Sequence, residues 1–239
     1  MFSTLANPHR FMTVTQKVAP VLGVLAVALA LAGLWLGFSA PEDYQQGDTV
    51  RIMFIHVPAA WLSLFAYACL GSASFAGLIW RHALADAAAR AAAPLGAAFT
   101  ALALITGSLW GRPMWGTWWV WDARLTSVLV LLLFYLGYMA LQAAIEDEAK
   151  AARASSILAL VGLVNLPIVH FSVNWWSTLH QGASVFRADG PTMSAVFLIP
   201  LLLMVVAYSF AFLALWVVRT RGEVWRRRAT TLALKAAWA

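Results

Sequence analysis

The sequence predicts an all-α integral membrane protein, a bundle of six transmembrane helices. Of its 239 residues, 62% are hydrophobic and 11% are charged, whereas charged residues make up roughly a quarter of a soluble domain. Six apolar runs are long enough for the ~20 residues that cross a bilayer as a helix. We expect one polytopic domain over 1–239, with spans at 18–38, 58–80, 91–110, 125–145, 155–171 and 193–218.

The first apolar run also has the layout of a secretory signal, because Arg10 and Lys17 precede it. No small-residue cleavage site follows Phe38, and five further spans come after it. We therefore expect this run to be retained as the first transmembrane helix.

The ends of three later spans carry helix signals. Pro58 fits the first turn of the second helix, where a missing N–H costs nothing. Asp122 is placed to cap the N-terminus of the fourth helix. Pro167 has no N–H for the carbonyl of Leu163 and should kink the fifth helix, with Asn165 a candidate to satisfy the freed acceptor.

Basic residues fall mainly on one side of the predicted membrane. The N-terminus, the loops at 81–90 and 146–153 and the C-terminal tail carry 12 of the 16 lysines and arginines. Cytoplasmic loops of membrane proteins are enriched in these residues. Both termini are therefore predicted to be cytoplasmic, with segments 39–57, 111–124 and 172–192 outside. The basic inner side suits anionic lipid headgroups and requires no nucleic acid.

The stretch 110–127, WGRPMWGTWWVWDARLTS, holds five tryptophans within twelve residues and forms the second outer loop. An interfacial aromatic belt would be shared between both membrane faces. Here the predicted outer side holds Trp110, Trp115, Trp118, Trp119, Trp121, Trp175 and Trp176, and the inner side holds Trp80, Trp225 and Trp238. This asymmetry favours a platform for a large flat ligand over a belt.

Two conformations of the tryptophan-rich stretch are open from the sequence. A helix would place Trp115, Trp118, Trp119 and Asp122 on one face. An extended chain would instead pair Trp119 with Trp121. Gly116 removes side-chain bulk where a flat ring can approach the backbone, or it is a turn residue.

Histidines from separate segments are expected near the outer boundary. His56 lies just before the second span and His180 lies in the last outer loop, so their imidazoles can approach a metal from opposite sides. His170, at the end of the fifth span, competes for this role, although a hydrogen-bonded structural histidine is the favoured interpretation there.

Haem fits these features together, because it is flat, largely apolar, anionic at one edge and centred on iron. Indoles would cover its face, and imidazoles would take the axial positions. Any of the outer basic residues can meet the propionates, or else form ion pairs with nearby acidic side chains. These residues are Arg51, Arg112, Arg124 and Arg187.

Several motifs resemble one known family. The signature WGxxWxWDxRLT of the tryptophan-rich WWD domain of haem-handling proteins matches Trp115, Gly116, Trp119, Trp121, Asp122, Arg124, Leu125 and Thr126. The segments DYQQG at 43–47, HVPAA at 56–60, VNLPI at 164–168 and TLHQG at 178–182 follow the same pattern. Together they resemble haem exporter protein C of the bacterial cytochrome c maturation system, from about 41 to 182.

The resemblance implies a site and a role. The axial ligands of the haem iron would be His56 and His180. The WWD residues that would bind the ring are Trp115, Gly116, Trp119, Trp121, Asp122 and Arg124, with Trp118 at a variable position of the motif. Such a protein binds haem b transiently and without covalent attachment at the periplasmic face of the bacterial inner membrane. It presents the haem to a periplasmic haem chaperone, to which the haem becomes covalently attached.

The resemblance also implies partners and the absence of an enzyme active site. Family members work with the ATP-binding and membrane subunits of an ATP-binding cassette transporter and with a small single-span subunit. The chain itself has no Walker A glycine loop. Its single cysteine, Cys69, leaves no disulfide and no CxxCH site for covalent haem.

Two rival functions stay open. The six helices can form the haem-export pore of the transporter, but their spans carry almost no ionisable residues. Alternatively, the protein is an electron-transfer cytochrome with permanent bis-histidine haem. Such proteins usually bury both ligands within helices, whereas His56 and His180 occupy predicted loop positions.

Overall fold

The structure is a computed structural model that describes residues 6–180, 182, 184–185 and 187–237. Trp238, placed above on the inner side, and Gln181, part of the TLHQG motif, lie outside these residues. Seven α-helices follow one another: α1 Pro8–Phe38, α2 Met53–Trp80, α3 Ala83–Trp115, α4 Ala123–Ala144, α5 Glu148–Leu163, α6 Asn165–Trp175 and α7 Ala195–Ala237. A short 3-10 helix, Asp48–Ile52, leads into α2.

In the part of the chain that the structure describes, six helical segments are long and apolar enough to cross a membrane, with α5 and α6 together forming one of them. Within the described residues there is no strand, only an isolated bridge between Asp43 and Gly47. The prediction of an all-α membrane protein with six spanning helices is therefore confirmed. Several helices run beyond their apolar spans, and α3 continues as far as Trp115.

Four of the described helices have an N-cap residue whose side chain accepts a hydrogen bond from the backbone of the first turn. Asn7 accepts hydrogen bonds from the backbone at the start of α1, and His82 does so at the start of α3. The Asp122 carboxylate accepts from the Leu125 N–H at 2.8 Å, which confirms the predicted cap of α4. Asp147 caps α5, and the hydrogen bond from the Lys150 N–H lowers the pKa of its carboxyl group.

The fifth span breaks at Val164, three residues before Pro167, so the predicted interruption is present. Asn165, the candidate partner of the freed Leu163 carbonyl, does not donate to it. Its amide nitrogen instead donates to the Ser127 carbonyl at 2.9 Å. This bond ties α6 to α4, because the buried amide lies at the interface of the two helices.

The bundle pairs α2 with α3 and α1 with α7 most extensively. Its largest core cluster includes Tyr67, Leu131 and Tyr135, all fully buried between α2, α3 and α4. The Tyr135 hydroxyl donates to the Ser63 carbonyl at 2.9 Å. The ring reaches this position across Gly96, where a Cβ atom would overlap the phenol group.

We expect Gly96→Ala to destabilise the bundle by about 1–3 kcal/mol, the usual cost of overpacking a core. Alanine has the higher helix propensity, so a loss of stability must come from the clash with Tyr135. Thermal unfolding in detergent measures the effect. Gly23→Ala is the control, because nothing lies within 4 Å of the added methyl group. Equal melting temperatures for the two variants would contradict the predicted clash.

Candidate functional site

A cleft opens where the start of α2, the end of α3 and the start of α4 meet. The empty volume of the cleft together with its open mouth is about 640 Å³. Part of its wall consists of small and aliphatic side chains such as Ala60, Leu104 and Val128. Its aromatic and titratable lining residues are His56, Trp110, Trp115, Trp119, Arg124 and His180. The cleft is therefore mostly apolar, with a few polar groups that converge on it.

His56 and His180 face each other across this cleft. Their ring centroids are 6.4 Å apart and the ring planes differ by 31°. The helix α2 begins at Met53, before the predicted start at 58, so Pro58 lies inside the helix and the prediction of Pro58 in its first turn is wrong. The predicted loop position of His56 is wrong for the same reason, because His56 lies in the first turn of α2. His180 lies in the irregular segment between α6 and α7. The fold thus brings together two imidazoles that are 124 residues apart in the chain.

Trp115 and Trp110 form an aromatic wall beside His180. The Trp115 ring meets His180 at a centroid distance of 6.5 Å and meets Trp110 edge-on at 5.1 Å. The indole N–H of Trp110 donates to the side-chain oxygen of Gln46 at 2.9 Å. Gln46 belongs to the segment between α1 and α2, so this bond holds that segment against the wall.

The tryptophan-rich stretch leaves α3 after Trp115 and becomes helical again only at Ala123, where α4 begins. Gly116 takes the left-handed conformation, with φ +76°, and ends α3. The helical alternative is therefore wrong beyond this residue. Trp119 and Trp121 pack edge-on at 5.5 Å, which is the pairing expected of the extended alternative.

The other predicted site residues divide into two groups. Trp115, Trp119 and Arg124 line the cleft with the two histidines. Trp118 and Trp121 do not line it, and they are 55% and 75% exposed. Gly116 and Asp122 also lie outside the lining. Both act on the backbone: the glycine by ending α3, and the aspartate through hydrogen bonds.

Asp122 joins two segments of the chain. One carboxylate oxygen caps α4, and the other accepts from the Leu179 N–H at 3.2 Å. Leu179 immediately precedes His180. The same carboxylate therefore fixes the start of α4 and the backbone that carries the second imidazole.

Arg124 is the cation of the predicted set that lines the cleft. Its guanidinium donates to the Val169 carbonyl at 3.1 Å. Trp119 lines the cleft too, and its buried indole N–H has no hydrogen-bond partner among the described residues. Both groups are donors, so the pair favours a ligand with an acceptor or an anionic group at this position.

The other three arginines predicted on the outer side do not line the cleft. Arg51 pairs with Asp48, and Arg112 donates to the Gly116 carbonyl. Arg187 is exposed in the segment before α7. His170 is also exposed and packs its ring on Phe171 at 4.7 Å, so it does not compete with His56 and His180 for the cleft.

The sequence analysis missed Trp110 as a lining residue of the cleft. It also missed Gln46 and Thr106, which do not line the cleft but contact Trp110 and His56. Trp110 was counted among the outer tryptophans but matches no position of the WWD signature. Thr106 donates its hydrogen to a carbonyl of its own helix and contacts His56. A threonine within an apolar run carries no signal of such a contact.

A family model described as "Heme exporter protein C" matches residues 1–235. The chain belongs to this family.

Curated relatives named Heme exporter protein C match the chain over much of their length. The Bradyrhizobium diazoefficiens protein is 57% identical over 233 residues, which cover 98% of this chain and 89% of the relative. The Paracoccus denitrificans protein is 48% identical and covers 95% of both chains. The Escherichia coli protein is 52% identical over 75% of this chain and 74% of its own. The six helices that can span a membrane and the bacterial relatives together indicate a multi-pass protein of an inner membrane.

In this family member, Asp122→Ala should loosen the segment that carries His180 as well as uncap α4. Loss of the cap costs about 1 kcal/mol, and the Leu179 N–H loses its acceptor. Hydrogen exchange, resolved by peptide mass spectrometry, should become faster at residues 177–180 and in the first turn of α4.

Asp147→Ala is the matched control, because Asp147 caps α5 with bonds to two backbone N–H groups. This variant should speed exchange at the start of α5 alone. If it speeds exchange at 177–180 as much as Asp122→Ala does, the link between Asp122 and the His180 segment is refuted.

Proposed function

We propose that the protein binds haem b non-covalently in the cleft, at the periplasmic face of the membrane, and presents it to a periplasmic haem chaperone. The observation that carries this proposal is the meeting of His56 and His180 at 6.4 Å. A metal ion bonded at about 2.0 Å to a nitrogen of each ring would hold the two centroids roughly 6 Å apart. The spacing therefore fits a pair of axial ligands on one iron.

The donor set fits haem better than a bare metal ion. Within the described residues, no group of three or more histidine, cysteine or carboxylate side chains is placed to hold a metal. Protein sites for bare zinc usually supply three or four such ligands. Two imidazoles suffice for haem, because the porphyrin supplies the other ligands of its iron.

The walls of the cleft suit the rest of the molecule. Trp115 and Trp119 offer flat apolar surface to the ring, and the adjoining aliphatic side chains exclude water. Arg124 and the unpartnered N–H of Trp119 offer donors to a propionate carboxylate. Among the four outer arginines considered from the sequence, we assign this role to Arg124.

The proposed orientation places the cleft outside. Basic residues are concentrated at both termini and near the two junctions at which α2 is followed by α3 and α4 by α5, and the positive-inside rule assigns these regions to the cytoplasm. The WWD segment, 110–127, then belongs to the second periplasmic loop. Haem in the cleft would be reached from the periplasm.

The exposure of Trp118 and Trp121 next to the cleft supports the proposed presentation to a chaperone. Exposed aromatic residues beside an open cleft are typical of a docking surface. The protein acts in this proposal as a carrier and not as an enzyme. Its other partners would be the ATP-binding and membrane subunits of an ATP-binding cassette transporter, a small single-span subunit and the surrounding lipid.

The packing disfavours the pore hypothesis. Between α2, α3 and α4 the interior is filled by Tyr67, Leu70 and Tyr135, none of which is exposed. Haem has no route through this cluster without large rearrangement. The cytochrome hypothesis is tested by transfer: haem that stays bound when the purified periplasmic chaperone is added would favour it.

Replacing either His56 or His180 with alanine should reduce the haem that co-purifies with the protein or change its absorption spectrum, because one axial bond is lost. His170→Ala is the control, since this exposed histidine lies outside the cleft. A double variant, His56→Ala with His180→Ala, that retains wild-type haem content and spectrum would exclude the assignment.

Arg124→Gln should weaken haem binding about tenfold, because a charge-assisted hydrogen bond contributes roughly 1.5–3 kcal/mol. Titration of the purified protein with haem, followed at the main absorption band, measures the affinity. The control is Arg187→Gln, which removes an exposed outer charge. Equal weakening in both variants would indicate general electrostatic attraction in place of a contact from Arg124.

A further inference from the structure

His56 rests against two consecutive residues of α3. Its Nδ1 atom lies 3.0 Å from the hydroxyl oxygen of Thr106. Its Cε1 atom lies beside Gly107, where an added Cβ would approach it to 3.0 Å. Thr106 is only 8% exposed, so water does not compete for this contact. The backbone of Ala103, also on α3, makes a further hydrogen bond with this imidazole. One imidazole is thus placed by polar groups of α3 and by the absence of a side chain at Gly107.

The hydrogen bonds of Thr106 decide which nitrogen of His56 carries the proton. The Thr106 hydroxyl donates to the Leu102 carbonyl at 2.6 Å. A hydroxyl has one hydrogen to donate and two lone pairs to accept with. Because that hydrogen is already directed at Leu102, the oxygen acts as an acceptor toward His56. The proton therefore lies on Nδ1, and Nε2 keeps its lone pair.

An imidazole in this state is prepared to bind a metal through Nε2. Histidines that bind metals usually donate the other ring N–H to an acceptor, which orients the ring and raises the basicity of the ligating nitrogen. In this structure the acceptor is held by α3, while the histidine belongs to α2. The close packing of these two helices therefore sets the direction of the ligand.

We propose that Thr106 and Gly107 are the positioning residues for His56: the hydroxyl of Thr106 holds Nδ1–H, and Gly107 leaves room for the ring, so that Nε2 serves as the ligand. Neither residue touches the iron. This inference rests on the proposed binding of haem in the cleft.

The test compares full-length Thr106→Val, Thr106→Ser and wild-type protein, purified in detergent and titrated with haem. Valine has the shape of threonine without an acceptor, so affinity should fall about 10- to 100-fold, the usual effect of removing such a partner. The midpoint reduction potential of the bound haem should rise, because a less basic imidazole stabilises the ferric form less. Serine should restore both properties.

Thr100→Val is the matched control. Thr100 is fully buried on the same helix and donates to the Gly96 carbonyl at 2.7 Å, but it contacts no histidine. Both valine variants lose a hydroxyl bonded within α3, and only Thr106→Val should change haem affinity and potential. Equal values in the two valine variants would overturn the proposal.

Gly107→Ala provides a second test that leaves the Thr106 side chain itself unchanged. Its methyl group would meet the His56 ring, so we expect a changed absorption spectrum and weaker binding. Wild-type spectrum and affinity in this variant would refute the role of Gly107. If the double variant, His56→Ala with His180→Ala, also keeps wild-type haem content and spectrum, the proposed function itself fails. If His56→Ala abolishes binding while Thr106→Val does not alter it, only the positioning role fails.

Discussion

A bilayer offers no water to unpaired backbone groups, and this constraint determines where a ligand site can be built in the molecule. The six spanning segments satisfy their backbone internally as helices. Irregular backbone is left to the ends, and the cleft lies there, at the start of α2, the end of α3 and the start of α4. The non-helical residues 116–122 between α3 and α4 are held by local devices such as Gly116 and Thr117.

Two side-chain bonds connect the segments that follow α1 and α6 to the end of α3 and the residues after it, at the end of the bundle that holds the cleft. Gln46 binds the indole of Trp110, and Asp122 binds the backbone of Leu179. Each bond links residues that are far apart in the sequence. The aromatic wall and the second imidazole are therefore placed by polar contacts, whereas the helices beneath them are placed by apolar packing.

The membrane fold was predictable from composition, because apolar runs of sufficient length have few alternatives to a helix. The cap by Asp122 was predictable from its position before an apolar run. The exposure of Trp118 and Trp121 was not predictable, because the sequence left both a helix and an extended chain open, and only the left-handed turn at Gly116 ends the helix at Trp115. The contact of His56 with Thr106 was not predictable either, because it depends on how α2 and α3 are aligned along their lengths.

The helix α7 is 43 residues long, which at 1.5 Å per residue is about 65 Å, or twice the thickness of a hydrocarbon core. Its far half carries Glu223 and Arg226, which join Glu148 and Arg90 in partly exposed ion pairs. Mobile ions screen such charges within about 8 Å at physiological ionic strength. The two ends of the bundle therefore respond differently to salt: salt weakens the ion pairs at the end of α7, whereas the cleft is held together by apolar packing and hydrogen bonds, on which salt has little effect.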